Sequence, residues 1–255
     1  MKKIAILQSN YIPWKGYFDI INMVDEFVLY DDMQFTKNDW RNRNLIKTIQ
    51  GVQWISIPVI HTGKFGQKIC ETEILSSKWV KKHWNMLQCN YAKAPCFEEY
   101  SAKIRELYFQ CEEEKFLSKI NYIFLKGICD LLDINTKISW SWEFEIGEGK
   151  TERLVNICRQ AGAREYVSGP SALDYIDKQA FDDAGVLLTF MDYCGYPEYP
   201  QLHGKFVHEV TILDMLFHLG KETKKYMKTF NDRMRIEVKG ANNDEQNGRI
   251  EKCIL

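Results

Sequence analysis

The chain opens on Ile4-Ala5-Ile6-Leu7, followed at once by Gln8-Ser9-Asn10-Tyr11-Ile12-Pro13-Trp14-Lys15-Gly16-Tyr17-Phe18. An apolar run, a loop containing Pro and Gly, and apolar residues at helical spacing predict a strand, a loop and a helix. A second apolar run, Glu26-Phe27-Val28-Leu29-Tyr30, predicts another strand and leads directly into Asp31-Asp32. Because the carboxyl ends of parallel strands share one edge of a sheet, where ligands bind, we expect the two polar clusters to face each other. The alternative is structural: Pro13 and Gly16 shape a turn, and the two acids cap the next segment.

Composition describes an ordinary globular protein. The chain has 255 residues, 45% of them hydrophobic and 27% charged, and its formal net charge of -1 gives no global field that would recruit nucleic acid. No apolar stretch approaches the roughly 20 residues of a membrane span, and the first apolar run is too short for a signal peptide. We therefore expect a cytoplasmic protein without a membrane partner. Eight scattered cysteines without a C-x-x-C pair predict free thiols and no structural metal site.

The stretch from Met33 to Asn44 mixes cations, amides and aromatic residues without a regular period. Guanidinium and ammonium groups suit phosphate, amides suit hydroxyls, and aromatic rings stack on planar or ring-shaped parts of a ligand. The same chemistry suits single-stranded nucleic acid, and a plain solvated loop is the structural alternative. The candidates in this stretch are Gln34, Lys37, Trp40, Asn42 and Arg43.

Three further features precede the second half of the chain. A third strand is predicted over Gln53–Val59, and the two glycines that flank Lys64 predict a loop that is either a mobile lid over a phosphate or an ordinary connection. From about 76 to 133 the period becomes helical and predicts an insert of three helices. His83 lies in this insert, where a lone histidine is more often structural than a base.

Strands and helices alternate again from about Lys137. Strands are predicted over Lys137–Trp142, Glu165–Val167 and Val186–Phe190, with helices between them, and this alternation demands parallel pairing with right-handed crossovers. Two loops could present backbone donors to anionic oxygens, and the candidates on them are Lys150, Thr151, Ser168, Gly169 and Ser171. The spacing of a Walker motif is absent, so a helix cap at Thr151 is the competing interpretation. We predict one α/β domain over 1–230, with a loose polar tail over 231–255.

With these residues in view, the chain resembles the WbqC-like family, found among bacterial surface-polysaccharide gene sets. The resemblance rests on Gln8 to Phe18, Asp31-Asp32-Met33-Gln34-Phe35, Trp40-Arg41-Asn42-Arg43-Asn44, Lys150-Thr151-Glu152-Arg153 and Ser168-Gly169-Pro170. It implies a role in making an O-antigen of lipopolysaccharide or a similar glycan, with transfer of glycine onto the amino group of a nucleotide-linked amino sugar as the activity. Besides the candidates above, it directs attention to Gln8, Asn10, Tyr11, Trp14, Gly16, Tyr17 and Arg153.

The opening of the chain is also similar to that of nucleotidylyltransferases and pantothenate synthetase, whose P-x-H-x-G-H loop binds ATP phosphates. This similarity implies a Rossmann-like, HUP-like, mostly parallel sheet with the helical insert added. Trp14 and Tyr17 stand where the pattern has its two histidines. Tryptophan carries no titratable proton and tyrosine offers a single hydroxyl, so the implied fold is better supported than the adenylation chemistry.

Our first functional hypothesis is an amide-forming transferase or ligase acting on a small amino acid and a nucleotide-linked amino sugar. Asp31 or Asp32 would accept the amine proton or hold Mg²⁺, and Lys37 and Arg43 would hold phosphate. ATP or an already activated donor is required, because a free carboxylate does not form an amide unaided. The second hypothesis is a non-catalytic module that binds a nucleotide-sugar or glycan, and the third is binding of single-stranded nucleic acid.

Overall fold

The computed structural model describes residues 1–230. Along them the chain runs through β1 (Lys3–Leu7), α1 (Lys15–Asn22), β2 (Glu26–Leu29), β3 (Arg43–Thr48), β4 (Gly51–Ser56), α2 (Lys78–Tyr91), α3 (Phe97–Gln110), α4 (Leu117–Leu131), β5 (Lys137–Trp140), α5 (Thr151–Gln160), β6 (Glu165–Ser168), α6 (Lys178–Asp183), β7 (Leu187–Phe190) and α7 (Ile212–Leu219). The predicted tail over 231–255 lies outside the described residues.

Five strands form one parallel sheet in the order β5-β2-β1-β6-β7. The chain moves outward from the central β1 to β2 and β5, then returns to the other side of β1 with β6 and β7. The strand order therefore reverses between β1 and β6, which is where doubly wound sheets bind ligands at the carboxyl ends of their strands. This confirms the predicted α/β fold with a Rossmann-like parallel sheet.

The inner strands β1, β2 and β6 are largely buried on both faces because helices cover the sheet from both sides. On one face, Phe27 and Leu29 pack in a core with Phe18 of α1 and Phe124 of α4. On the other face, Val28 packs in a core with residues of α5 and α6 that include Leu154, Ile157 and Phe181. The side chains of β2 thus alternate between two cores.

The predicted third strand was wrong in its extent, since β4 begins two residues earlier, at Gly51. It ends at Ser56, and it pairs antiparallel with β3 in a separate two-stranded hairpin. The sequence did not predict β3, because Arg43, Asn44 and Lys47 interrupt the alternation of apolar residues that marks a strand. The backbone N–H of Thr211 donates to the carbonyl of Leu45 at 2.9 Å, so β3 is also held by a distant segment of the chain.

The predicted helical insert is confirmed as α2, α3 and α4. Its last helix also carries the chain across the sheet from β2 to β5, so α4 belongs to the sheet's packing as much as to the insert. Gly162 takes the left-handed conformation just after α5, with φ of 67°, as its position predicts. In the described part of the chain, none of the helices combines the length and the apolar character needed to cross a membrane.

Candidate functional site

Asp31 is the most enclosed acid at the carboxyl ends of β1 and β2. It is fully buried, its Oδ1 accepts a 2.8 Å hydrogen bond from the backbone N–H of Ser9, and its Oδ2 accepts one from the hydroxyl of Ser118 in α4. Burial raises the pKa of the Asp31 carboxyl, while the hydrogen bonds from Ser118 and Ser9 and the charge of Arg41 oppose that rise. Asp31 therefore holds the loop after β1 in place.

Asn121, one turn further along α4, extends this network. Its amide donates to Oγ of Ser9 and to the backbone carbonyl of Arg41, both at 2.9 Å. Within residues 1–230, Oδ1 of the same side chain is buried and has no hydrogen-bond partner. A buried polar atom without a partner costs stability, so this oxygen remains an unused acceptor beside the loop after β1.

Arg41 brings a positive charge to the same loop. Its guanidinium donates to Oδ1 of Asn10 and lies 3.7 Å from a carboxylate oxygen of Asp39. The Nε atom is buried and, among the residues that the structure describes, has no partner. Arg41 thus retains an unused donor beside the end of β1, and an arginine fork suits carboxylate and phosphate oxygens.

Asp32, the next residue of the turn after β2, has different surroundings from Asp31. Its Oδ2 accepts a 2.6 Å hydrogen bond from the hydroxyl of Ser141, and its Oδ1 lies 3.3 Å from Nζ of Lys68. The Asp32 side chain is 12% exposed, whereas Asp31 is fully buried. Asp32 is therefore the acid at this edge that a ligand can reach. We name Asn10, Asp31, Asp32, Arg41 and Lys68 the carboxyl-edge site.

Several residues predicted from the sequence lie beside this site. Gln8 directly follows β1, and its carbonyl accepts a 2.8 Å hydrogen bond from the hydroxyl of the buried Tyr17. Gln34 is exposed and forms an isolated β-bridge with Lys68. The structure thus brings Gln8, Asn10, Asp31, Asp32 and Gln34 to one edge of the sheet.

Tyr11 and His83 lie in the core. The Tyr11 hydroxyl is 2.9 Å from Nδ1 of His83 and 3.0 Å from the hydroxyl of Tyr108, and all three side chains are buried. Burial lowers the pKa of His83 to about 4, with the charge of Lys82 acting in the same direction. The structural interpretation of His83 fits this environment.

Aromatic packing fills the loop after β1, the segment whose sequence resembles a phosphate-binding motif. The Trp14 ring contacts the rings of Tyr193 and Tyr196, with centroids 5.2 and 5.6 Å away. A Cβ atom at Gly16 would lie 2.4 Å from the Trp14 ring, so Gly16 permits this close approach. In this arrangement Trp14 serves packing, and the Tyr17 hydroxyl is already engaged by Gln8.

The aromatic and basic residues after Asp39 point to a different surface. The Arg43 guanidinium lies 4.0 Å from the centroid of the Trp54 ring, which in turn contacts Trp40. Asn42 donates to the carbonyl of Ile57 at 2.8 Å. Arg41, two residues before Arg43, is the arginine that lies near Asp31. Lys37 is exposed.

The remaining candidates are distributed over other loops. Lys64 pairs with Glu73 at 3.2 Å on an exposed loop. Arg153 donates from Nε to the carbonyl of Gly147 at 3.1 Å, and Thr151 accepts from the backbone N–H of Asp177 at 3.1 Å. The others on the loops after β5 and β6 are Lys150 and Ser171, which are exposed, Gly169, which is partly exposed, and Ser168, which is buried.

Sequence reasoning found Asn10, Asp31 and Asp32 but missed Arg41, Lys68 and the residues that hold the carboxyl-edge site in place. Arg41 stands within the stretch from Met33 to Asn44, where nothing in the local sequence distinguishes it from its neighbours. Ser118, Asn121 and Ser141 come from a helix and a turn far along the chain, and nothing in their local sequence marks them. Among residues 1–230, no three His, Cys, Asp or Glu side chains come together as metal ligands.

The sheet order and its polar edge define a doubly wound α/β protein with a candidate ligand site at the carboxyl ends of β1 and β2. The WbqC-like protein family matches residues 8–226, and the chain belongs to this family. A protein of Mycobacterium tuberculosis, described as uncharacterized protein Rv1507c, is 52% identical over 228 residues, which cover 89% of this chain and 98% of that protein. No solved structure matches the chain.

Proposed function

We propose that the protein transfers or ligates glycine, or another small amino acid, onto the amino group of a nucleotide-linked amino sugar in the synthesis of a bacterial surface polysaccharide. One observation carries the proposal: an accessible carboxylate, Asp32, and an incompletely paired guanidinium, Arg41, occupy the same edge of a doubly wound sheet. Membership of the WbqC-like family supports the biosynthetic setting.

The chemistry needs a base and stabilisation of negative charge. The unprotonated amine nitrogen forms a bond to the acyl carbon, and the bond from that carbon to the leaving group breaks with its electron pair. The proton that leaves nitrogen goes to the Asp32 carboxylate, which Ser141 orients. Arg41 and Lys68 would stabilise the developing oxyanion or a phosphate of the nucleotide.

Asp31 has a supporting role in this proposal. Both of its carboxylate oxygens already accept hydrogen bonds, and the side chain is fully buried. It holds the Ser9 backbone, while Asn121 holds the Arg41 backbone. Reacting groups on loops must be fixed by surrounding hydrogen bonds if they are to act efficiently, and this network supplies that fixation.

Activation of the acyl group comes from ATP with Mg²⁺ or from a donor that arrives already activated. Mg²⁺ takes one or two carboxylates together with phosphate oxygens, and Asp32 is the partly exposed carboxylate that could hold it. The packed Trp14 and the engaged Tyr17 hydroxyl do not replace the two histidines of the pattern that binds ATP phosphates. This arrangement favours an activated donor.

The test is a product assay. The protein is incubated with a UDP- or dTDP-linked amino sugar and isotope-labelled glycine, with and without ATP and Mg²⁺, and the amide product is measured by mass spectrometry. We expect Asp32→Asn to lower turnover by about 10²-fold or more, the usual contribution of a positioned base. Asp130→Asn, which changes an exposed acid of α4, is the matched control. Near-normal turnover by folded Asp32→Asn would remove Asp32 from the mechanism.

A non-catalytic nucleotide-sugar-binding module is the second candidate, and the closed loop at Trp14 and Tyr17 favours it. It predicts that the ligand binds without amide product under every condition of the same assay. Binding of single-stranded nucleic acid, the third candidate, would use the exposed Trp54 and Arg43 of the hairpin. It predicts strongly salt-dependent binding of an oligonucleotide.

A further inference from the structure

Two tryptophans stack on each other at the end of β5. The rings of Trp140 and Trp142 lie nearly parallel, with an angle of 17° between their planes and 4.3 Å between their centroids. The inner ring, Trp140, also contacts Tyr122 of α4 at 5.2 Å, whereas Trp142 is 41% exposed. The outer ring therefore offers a flat surface whose position is fixed by the ring beneath it. We name these two residues the Trp pair.

The Trp pair is continuous with the carboxyl-edge site. Trp140 lies opposite Leu29 in the pairing of β5 with β2, and Leu29 is the last residue of β2 before the chain reaches the two acids. Ser141, which stands between the two tryptophans, donates its hydroxyl to Asp32 at 2.6 Å. The turn that carries Trp142 is thus tied directly to the reachable acid of the site.

A lysine provides positive charge at the same place. Nζ of Lys119 lies 4.3 Å from the Trp140 centroid and 5.4 Å from that of Trp142. Lys119 is exposed, and in the described part of the chain it forms no ion pair with a carboxylate. It belongs to the first turn of α4 and follows Ser118, the residue that holds Asp31.

We propose that the Trp pair is the base-binding subsite of the carboxyl-edge site. The planar base of a nucleotide stacks on the exposed face of Trp142, and Lys119 lies beside its phosphates. The sugar end of the ligand is then directed toward Asp32. This inference rests on the proposed function to the extent that it takes the ligand to be a nucleotide-linked sugar.

A sugar ring could also pack on a tryptophan, and the experiment separates the two ligand parts. UDP, which has a base, and glucosamine 1-phosphate, which has none, are titrated into the wild-type protein, Trp142→Ala and Trp142→Phe by calorimetry. Trp54→Ala, which removes an exposed tryptophan from the hairpin, is the matched control. Because Trp142 lies at the surface, both variants are expected to fold, and far-UV circular dichroism and melting temperature verify it.

We expect Trp142→Ala to weaken UDP binding about tenfold or more, within the range of base stacking on an aromatic side chain. Trp142→Phe retains a ring and loses less, while Trp54→Ala binds UDP like the wild type. Affinity for glucosamine 1-phosphate stays unchanged in Trp142→Ala. Equal losses for both ligands, unchanged UDP affinity in Trp142→Ala, or no binding of UDP to the wild type would each overturn the subsite.

The titration tests the base-binding subsite and the product assay tests the transferase proposal, so one proposal can fail while the other stands. If no amide product forms but Trp142→Ala weakens UDP binding selectively, the subsite stands and the transferase proposal falls. If product forms and Trp142→Ala leaves the KM for the nucleotide sugar unchanged, the transferase proposal stands and the base-binding subsite is wrong.

Discussion

The backbone N–H of Ser9 donates a 2.8 Å hydrogen bond to Oδ1 of Asp31, so the chain just after β1 is held to the chain just after β2. The hydroxyl of Ser118 occupies the other carboxylate oxygen and adds α4 to the same junction. Three segments that are distant in sequence meet at one buried carboxylate. The carboxyl-edge site is therefore built on a junction that the fold itself requires.

Replacing Asp31 should cost stability. Asp31→Ala leaves the buried donors of Ser9 and Ser118 without an acceptor, at roughly 1–3 kcal/mol for each group that stays unsatisfied. Urea unfolding measures the loss, with Asp130→Ala on the exposed face of α4 as the control. An Asp31→Ala protein as stable as the wild type would show that the junction does not depend on this carboxylate.

Replacing Lys15 should increase the stability of the fold. Lys15 is 2% exposed, its Nζ lies 2.9 Å from Nδ1 of His208, and burial lowers its pKa from 10.5 to about 8. Below pH 8 the unfolded chain binds this proton more tightly than the native protein does, so the buried amine destabilises the fold. Lys15→Met should then raise the free energy of unfolding at pH 7 by up to about 3 kcal/mol, the equivalent of that pKa shift.

The Lys15→Met gain has a specific pH dependence. It should shrink as the pH rises from about 8 to 10.5, because the native amine loses its proton first and the unfolded amine follows. Lys103→Met, at an exposed position of α3, should show no such trend. A gain that is constant across this pH range would contradict the role assigned to the buried charge.

The acid side of the stability curve should depend on His83. Burial lowers its pKa to about 4, so between pH 6.5 and 4 the unfolded chain binds a proton that the native protein excludes. Stability from this group is full above pH 6.5 and falls toward pH 4. His83→Gln removes the titration, so unfolding free energies measured at several pH values should decline less steeply for this variant. An identical decline in both proteins would place the acid sensitivity elsewhere.

Ligand binding should distinguish the two arginines of the Trp40–Asn44 stretch. Arg41→Gln removes a charged donor from the carboxyl-edge site and should weaken binding of a UDP-linked amino sugar by about 10- to 100-fold, the equivalent of one charged hydrogen bond. Arg43→Gln removes a cation that lies over Trp54 and should leave that affinity unchanged. Calorimetric titration measures both. The reverse result would support the sequence-based choice of Arg43.

The sequence predicts the sheet well because its strands are short apolar runs, each followed by a polar loop. β1, β2 and the alternation after Lys137 are predictable for this reason, and the parallel pairing of β1 with β2 places the polar residues after both strands at one edge of the sheet. The hairpin of β3 and β4 was harder to predict. Polar residues interrupt β3, and its contact with Thr211 depends on a segment more than a hundred residues away in sequence.

The detailed site was not predictable from local pattern. Ser118 is 87 residues from Asp31, and Asn121 is 112 residues from Ser9, so only the packing of α4 against the sheet brings them together. Asp31 and Asp32 differ in their surroundings because Ser118 bonds to the first and Ser141 to the second. Local sequence does not show that either serine lies beside these acids.

The most direct test of the central claim, that the carboxyl-edge site binds a nucleotide-linked amino sugar, is the melting temperature of the wild-type protein with a small ligand panel. The panel holds UDP- and dTDP-linked amino sugars, ATP with Mg²⁺, glycine and a single-stranded oligonucleotide. A ligand at about 100 times its dissociation constant stabilises the native state by roughly 2.7 kcal/mol, which gives a clear shift. The account predicts a higher melting temperature with an amino-sugar nucleotide, and a shift with the oligonucleotide alone, or with none of the panel, would contradict it.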